Sequence, residues 1–168
     1  ILILNQAPPE TIPGEHLATV LDELKNCTQG GGRIAGFPLT RLKVTIVGGQ
    51  YVEGESDEIA YRIATNDAFE RGLQEGEPVL LEPVMKLIVS TPEDYLGDFA
   101  GDLQQRRAII VNTENRGDLT YIEAHAPLKE LFGYSSVMRS LSQGRAGCSL
   151  EPYQYAPAPP EDADQFQF

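Results

Sequence analysis

The hydrophobic residues in the second half of the chain recur with two periods, one typical of strands and one typical of helices. Runs of β-branched and aliphatic residues predict four strands, at residues 84–90, 108–113, 119–126 and 146–155. Apolar residues spaced three and four apart predict one helix over residues 92–107 and another that begins at Tyr134 and stops at Gly144. The resulting order, βαββαβ, is that of ferredoxin-like folds, in which two helices cover one face of a four-stranded antiparallel sheet.

The first half of the chain predicts a smaller unit with the order βαβα. Its strands are ILIL at residues 1–4 and LTRLKVTIV at residues 39–47, where apolar and polar residues alternate. Its helices are expected at residues 12–28 and 56–75, and the second is expected to bury Ile59, Ile63, Ala64 and Phe69. Because two strands form a thin sheet, we expect strands to be missing upstream, and we hypothesise that two copies pair through the unpaired edges.

These patterns describe an α+β protein in three segments. A partial βαβα unit occupies residues 1–80, a ferredoxin-like domain occupies residues 81–156, and a tail occupies residues 157–168. The tail, PAPPEDADQFQF, combines prolines and acids with little apolar surface to bury, and this composition predicts disorder.

The formal net charge of the chain is −12, and the charge is distributed unevenly. Residues 1–80 hold 12 acids and 6 bases, residues 81–156 hold 10 acids and 7 bases, and the tail holds 3 acids and no base. Five of the seven bases in the middle segment are arginines, whose planar guanidinium suits bidentate contacts with phosphate or carboxylate. An acidic chain is a poor nonspecific ligand for nucleic acid, but a local group of arginines can still bind phosphate.

No metal site, nucleotide site or membrane span is predicted in this chain. Cys27 and Cys148 lack Cys or His neighbours at metal-ligand spacing, so we expect buried free thiols in a reducing, cytoplasmic compartment. The ILIL segment has neither the basic region nor the cleavage site of a signal peptide. The glycine-rich GGGR at residues 30–33 lacks the Lys-Ser/Thr pair that a phosphate-binding loop uses to reach phosphate and Mg²⁺.

The residues also argue against an enzyme. His16 and His125, the only histidines, have no Ser, Cys or Asp at the spacing of a nucleophile and its base. Ferredoxin-like phosphatases hold phosphate in a glycine-rich loop after the first strand, but residues 91–94 are Thr-Pro-Glu-Asp, which would repel an anion. A binding protein is therefore expected, and a stand-alone interaction module that uses the open sheet face or an edge strand stays open as an alternative.

Long stretches of the chain resemble the last two domains of bacterial elongation factor G. Two segments resemble the last domain, EPVMKLIVSTPEDYLGDFAGDLQQRRA and APLKELFGYSSVMRSLSQGRAG. Three segments resemble the C-terminal half of the domain before it, AGFPLTRLKVTIVGGQY, SDEIAYRIATNDAF and PVLLEPVMK. The resemblance implies that residues 1–80 are part of the protruding fourth domain, which has a left-handed βαβ crossover, and that residues 81–156 are the ferredoxin-like fifth domain.

The resemblance implies the ribosome-binding C-terminal region of a cytoplasmic translational GTPase that promotes tRNA and mRNA translocation. GTP and Mg²⁺ would then bind an N-terminal domain outside this chain, which would have no cofactor of its own. The first strands of the fourth domain, with the loops that enter the decoding site, would also lie upstream. A divergent paralogue that acts in ribosome recycling or protection is the alternative.

The resemblance also implies that the fifth domain lies against large-subunit rRNA and a stalk-base ribosomal protein. Five residues are expected to make this contact: Arg106, Arg107, Arg139, Gln143 and Arg145. Arginine suits RNA that is recognised through its backbone, although arginines in the last turn of a helix also stabilise its negative end without any partner. Gly97 and Gly101, four apart on one helix face, predict a close approach there by the sheet or by the ribosome.

Overall fold

The computed structural model describes residues 1–166, which form two compact units. One unit contains residues 1–79 together with the C-terminal residues from Pro160, and the other contains residues 80–159. The strands are β1 (Leu2–Asn5), β2 (Lys43–Ile46), β3 (Leu81–Thr91), β4 (Ile109–Arg116), β5 (Leu119–Pro127) and β6 (Gly147–Pro157). The helices are α1 (Gly14–Gln29), α2 (Glu58–Glu75), α3 (Leu96–Gln105), α4 (Tyr134–Leu141) and α5 (Pro160–Asp164).

The second unit has the predicted βαββαβ order, and its four strands form one sheet with the order β4-β5-β3-β6. All three neighbouring pairs are antiparallel, and β3 lies between β5 and β6 with long registers on both sides. A two-residue turn at Gly117 and Asp118 joins β4 to β5, with Gly117 at a φ of 65°. The ferredoxin-like prediction for this half of the chain is confirmed.

The core of this unit lies between one face of the sheet and the two helices α3 and α4. Alternate residues of β3 and β5 point to that face, and the helices supply the other side. The most deeply buried members are Leu87, Val89, Phe99, Leu103, Ile122, Ala124, Ala126 and Tyr134. The opposite face is polar at its centre, where the Lys86 ammonium lies 3.5 Å from a Glu123 carboxylate oxygen and 3.6 Å from one of Glu151.

The first unit has the predicted βαβα order, with β1 and β2 paired in parallel in a two-stranded sheet. The register joins Leu2 to Lys43 and Asn5 to Ile46, and β2 is shorter than the alternating pattern suggested. The two helices pack on each other, and with Ile46 of β2 they form a second core of Ile12, Val20, Leu24, Ile46, Tyr61 and Phe69. In the residues that the structure describes, β1 and β2 each have one unpaired edge, so pairing between two copies stays a prediction.

Of the four residues that α2 was predicted to bury, the prediction is confirmed for Phe69 and wrong for Ala64 and the two isoleucines, which are exposed. Ile59 and Ile63 are 66% and 58% exposed, whereas Tyr61, Thr65 and Phe69 are buried. The Tyr61 hydroxyl donates a hydrogen bond of 3.0 Å to the Gln50 carbonyl, and its ring stacks on His16 at 4.8 Å. A tyrosine with these partners satisfies its polar atom while burying its ring, so it defines the buried face in place of the isoleucines.

The two cysteines are free thiols, as predicted, but they are not both buried. Cys27 is half-buried beside α2, where its Sγ accepts a hydrogen bond of 3.7 Å from the Asn66 amide. Cys148 lies at the start of β6 and is exposed. The prediction of two buried thiols is therefore wrong for Cys148, because β6 is an edge strand that leaves this position open.

The tail has regular structure where disorder was predicted. Strand β6 continues to Pro157 beside Leu81, α5 follows, and the Phe166 ring packs edge-on against Phe37 at 5.3 Å. The last two residues of the predicted tail, 167 and 168, lie outside the described residues. Among residues 1–166 no helix has both the length and the apolar character needed to cross a bilayer.

Candidate nucleic-acid interface

The candidate site lies at the end of α4, where the chain turns into β6. Gly133, at a φ of 72°, begins the helix in a left-handed conformation that suits glycine. Tyr134 and Met138 then point into the core, which fixes α4 on the sheet. Arg139, one residue after Met138, therefore projects from the exposed side of the last helical turn.

A tight turn follows the helix and carries the other two predicted contact residues. Gln143 and Gly144 both have left-handed backbones, with φ values of 53° and 79°. The Gly144 amide donates to the Arg139 carbonyl at 2.9 Å, and the Arg145 amide donates to the Ser142 carbonyl at 3.0 Å. These bonds bring the backbones of Arg139, Gln143 and Arg145 into one compact turn, which we call the α4–β6 turn (residues 139–146).

The two arginines of the α4–β6 turn are available to a ligand. Arg139, Gln143 and Arg145 are all exposed. Neither Arg139 nor Arg145 makes an ion pair with any residue in the described part of the chain. An unpaired guanidinium keeps its full set of donors for a phosphate oxygen.

Arg106, in contrast, is held by contacts within its own unit. Its Nε lies 2.8 Å from a carboxylate oxygen of Asp102, and its Nη1 donates to the Glu130 carbonyl. The guanidinium carbon lies 5.0 Å from the centre of the Tyr134 ring, and the side chain is only 17% exposed. Through these contacts the Arg106 guanidinium joins α3 to the segment before α4. Arg106 therefore has a structural role inside the domain.

Arg107 is also paired within the domain, at the start of the loop that leads to β4. Its two terminal nitrogens donate to the two carboxylate oxygens of Glu82 at 3.0 Å each, and its Nε donates to Glu130 at 3.2 Å. The hydrogen bonds with Glu82 raise the pKa of Arg107 above its ordinary value. This bidentate pair leaves little of the guanidinium for RNA.

The structure thus divides the five predicted contact residues into two groups. Arg139, Gln143 and Arg145 share one exposed turn, whereas Arg106 and Arg107 are anchored by Asp102, Glu82 and Glu130. Two family models match successive parts of the chain. A family model described as "Elongation factor G C-terminus" matches residues 79–166, and one described as "Elongation factor G, domain IV" matches residues 5–77.

The chain belongs to the elongation factor G family. Elongation factor G from Fervidobacterium nodosum is 42% identical over 154 residues, and those from Aquifex pyrophilus and Thermotoga maritima are 40% identical over the same length. Each match covers 92% of this chain but only 22% of the relative, so the chain corresponds to a C-terminal fragment of these proteins. A crystal structure of a protein from Thermus thermophilus matches with a TM-score of 0.77 and 32% identity, over 98% of this chain and 25% of that protein.

Replacing Arg107 by alanine should lower the stability of this elongation factor G fragment. The free energy of unfolding should fall by about 1–2 kcal/mol, because Glu82 loses its partner. The loss is no larger because the Arg107 side of the pair is partly exposed and already screened by water. Urea denaturation measures the loss, and binding to ribosomal subunits measured on the folded variant should match the unchanged chain. A marked loss of binding with no loss of stability would instead make Arg107 an RNA contact.

Gly97 and Gly101 lie on the exposed side of α3 in this elongation factor G domain. A Cβ atom added at either position would meet no heavy atom within 4 Å. Close packing of the helix on the sheet is therefore not the reason for these glycines. The predicted close approach by an external partner stays a prediction.

Gly101→Ala should stabilise the isolated chain. Glycine inside an exposed helix costs about 1 kcal/mol relative to alanine, and here the new methyl group has open space. The thermal midpoint should rise by a few degrees. A lower midpoint would mean that the α3 face is more crowded than the structure indicates. If the same variant binds ribosomal subunits less well, the glycine face touches the ribosome.

Sequence reasoning missed three residues that determine how the predicted contact residues are held in this elongation factor G fragment. Glu82 and Glu130 bind Arg107 across 25 and 23 positions of sequence, and no local pattern announces such pairs. Ser142 is fully buried at the end of α4. A signal for Ser142 was present, since a small polar residue directly before Gln143-Gly144 is typical of a side chain that bonds the local backbone.

Proposed function

We propose that residues 80–159 form a ribosome-binding domain and that the α4–β6 turn contacts the backbone of large-subunit rRNA. The parent protein would be a cytoplasmic GTPase that promotes translocation, with GTP and Mg²⁺ bound outside this chain and no cofactor within it. A stalk-base ribosomal protein is the proposed second partner. The observation that carries the proposal is that Arg139 and Arg145 remain exposed and unpaired, among the residues described, in a chain of net charge −12.

The charge distribution supports a local contact over a broad one. The residues of the first unit and the α5 segment are strongly acidic, so most of the surface would be repelled by RNA. Within the second unit, the unpaired arginines Arg139 and Arg145 on a well-formed turn are the exception. Such an arrangement orients the domain on RNA, because only one part of it is attracted to phosphate.

Graded-salt binding to purified bacterial ribosomal subunits tests the proposal. Two phosphate contacts predict that the logarithm of the binding constant falls linearly with the logarithm of salt concentration, with a slope of about −1.4 to −1.8. We expect such binding to the large subunit and weaker binding to the small one. Binding that is independent of salt, or equal for both subunits, would contradict the proposal.

The alternative role in recycling or protection requires the same contact and differs in what the parent does after binding. Addition of the full-length parent to ribosomes paused before translocation distinguishes the two. Movement of the tRNAs with GTP supports translocation. Release of subunits or displacement of a bound inhibitor without movement supports the paralogue alternative.

Self-association is a second proposal, and the unpaired edges of the β1–β2 sheet favour it. Strand edges in a sheet this small offer backbone donors and acceptors to another copy. Sedimentation over a range of concentrations tests it. Dimers that increase with concentration are expected, and a monomer at all concentrations would overturn it.

A further inference from the structure

Ser142 is a buried hydroxyl placed between the residues that are proposed to bind RNA. It is 0% exposed, three positions after Arg139 and three before Arg145. Its Oγ donates a hydrogen bond of 2.8 Å to the Met138 carbonyl and accepts one of 3.0 Å from the Ala146 amide. One side chain therefore ties the last turn of α4 to the residue directly before β6.

The backbone between these two bonds adopts a conformation that needs support. Gln143 has a φ of 53°, in the left-handed region that non-glycine residues rarely occupy. Gly144 has a φ of 79° and tolerates this conformation readily. The two Ser142 bonds close the loop at both ends and compensate for the disfavoured geometry at Gln143.

The backbone amides of the turn are largely used within the protein. The amides of Ser142, Gly144, Arg145 and Ala146 donate to Met138, Arg139, Ser142 and the Ser142 hydroxyl respectively. An anion at this turn would therefore be met by side chains more than by main-chain donors. The positions of the Arg139 and Arg145 side chains depend on the turn that Ser142 closes.

We infer that Ser142 is a positioning residue that pre-forms the α4–β6 turn for rRNA, acting through Arg139, Gln143 and Arg145 without touching RNA itself. This inference rests on the proposed function. If the turn is already ordered before binding, binding loses no conformational entropy in ordering it. The affinity then increases without an added contact. Loss of the hydroxyl should loosen the turn, so both guanidinium groups remain in the chain but are no longer held in position.

A double-mutant cycle separates positioning from a merely structural role. Ser142→Ala should weaken large-subunit binding about fivefold to tenfold in the otherwise unchanged chain, a loss comparable to ordering one or two side chains. In an Arg139→Ala, Arg145→Ala background the same change should have less than about a twofold effect, since no guanidinium remains to position. Ser136→Ala, which removes an exposed hydroxyl from the same helix outside the α4–β6 turn, should leave binding unchanged.

Two further measurements keep the inference separable from folding and from the proposed function. Binding is measured at a temperature where thermal melting shows every variant folded, and Ser142→Thr, which retains the hydroxyl, should recover most of the affinity. An equal loss from Ser142→Ala in both backgrounds, or no loss in either, would overturn the inference alone. If the two arginine substitutions do not weaken binding, or the unchanged chain does not bind, the proposed function and this inference both fail.

Discussion

Replacing Arg139 and Arg145 together by alanine is expected to weaken binding to the large ribosomal subunit by at least about a hundredfold at low salt. Each charge-assisted hydrogen bond to phosphate contributes about 1.5–3 kcal/mol, and a tenfold change in affinity corresponds to about 1.4 kcal/mol. The salt slope should fall toward zero because both phosphate contacts are gone. Fluorescence anisotropy of the labelled chain with purified subunits measures both quantities.

Arg116→Ala is the matched control for this double substitution. Arg116 is also an exposed arginine of the second unit, but it pairs with Glu114 at 2.8 Å and lies beside the β4–β5 turn. Its removal should change neither the affinity nor the salt slope. An equal loss of affinity in Arg116→Ala would mean that overall charge, and not the α4–β6 turn, controls binding.

Phe99→Ala is expected to destabilise the second unit by about 3–5 kcal/mol. Phe99 is 0% exposed and packs between α3 and the sheet, so its removal leaves a cavity in the core on which α4 also rests. Urea denaturation followed by circular dichroism measures the free energy of unfolding. Hydrogen exchange should show the loss of protection in β3 and β5.

Ile59→Ala is the informative control for the core substitution. The helical spacing of apolar residues predicts that Ile59 is buried in the first unit, whereas in the structure it is 66% exposed. The change should therefore cost less than about 0.5 kcal/mol. A loss of about 2 kcal/mol or more is the usual cost of truncating a buried isoleucine. It would show that Ile59 is buried, as the apolar spacing predicts.

The fold of the second unit could be predicted from sequence because each of its elements carries a strong period. Leu87 and Val89 alternate with less buried residues along β3, and Phe99 and Leu103 recur at helical spacing along α3. The face of α2 could not be predicted in the same way. Its burial is decided by the stacking of Tyr61 on His16, which are 45 positions apart, and hydrophobicity alone favours the isoleucines.

The site was predictable in part. The residues around QGR are recognisable, and the spacing of Asp102 and Arg106 is that of an ion pair on one helix face. The pairing of Arg107 with Glu82 depends on how the chain folds back on itself, so sequence could not separate this arginine from Arg139. Tertiary structure therefore decides which arginines of an acidic protein remain free to bind a ligand.

The structure also explains how an acidic chain presents cations. Several arginines form ion pairs with carboxylates of the same chain, as Arg62 does with Glu23 and Glu58. Arg139 and Arg145 have no acidic neighbour along the chain, since residues 131–150 contain neither Asp nor Glu. The α4–β6 turn lies within that acid-free segment.

Site-directed crosslinking tests the central claim most directly. A photoreactive amino acid in place of Ser140, which is exposed beside Arg139, would be activated with the chain bound to intact ribosomes, and the crosslinked species sequenced. Crosslinks to large-subunit rRNA that disappear in the Arg139→Ala, Arg145→Ala variant are the predicted result. Crosslinks confined to small-subunit rRNA or to protein, from a chain that is demonstrably bound, would contradict the account.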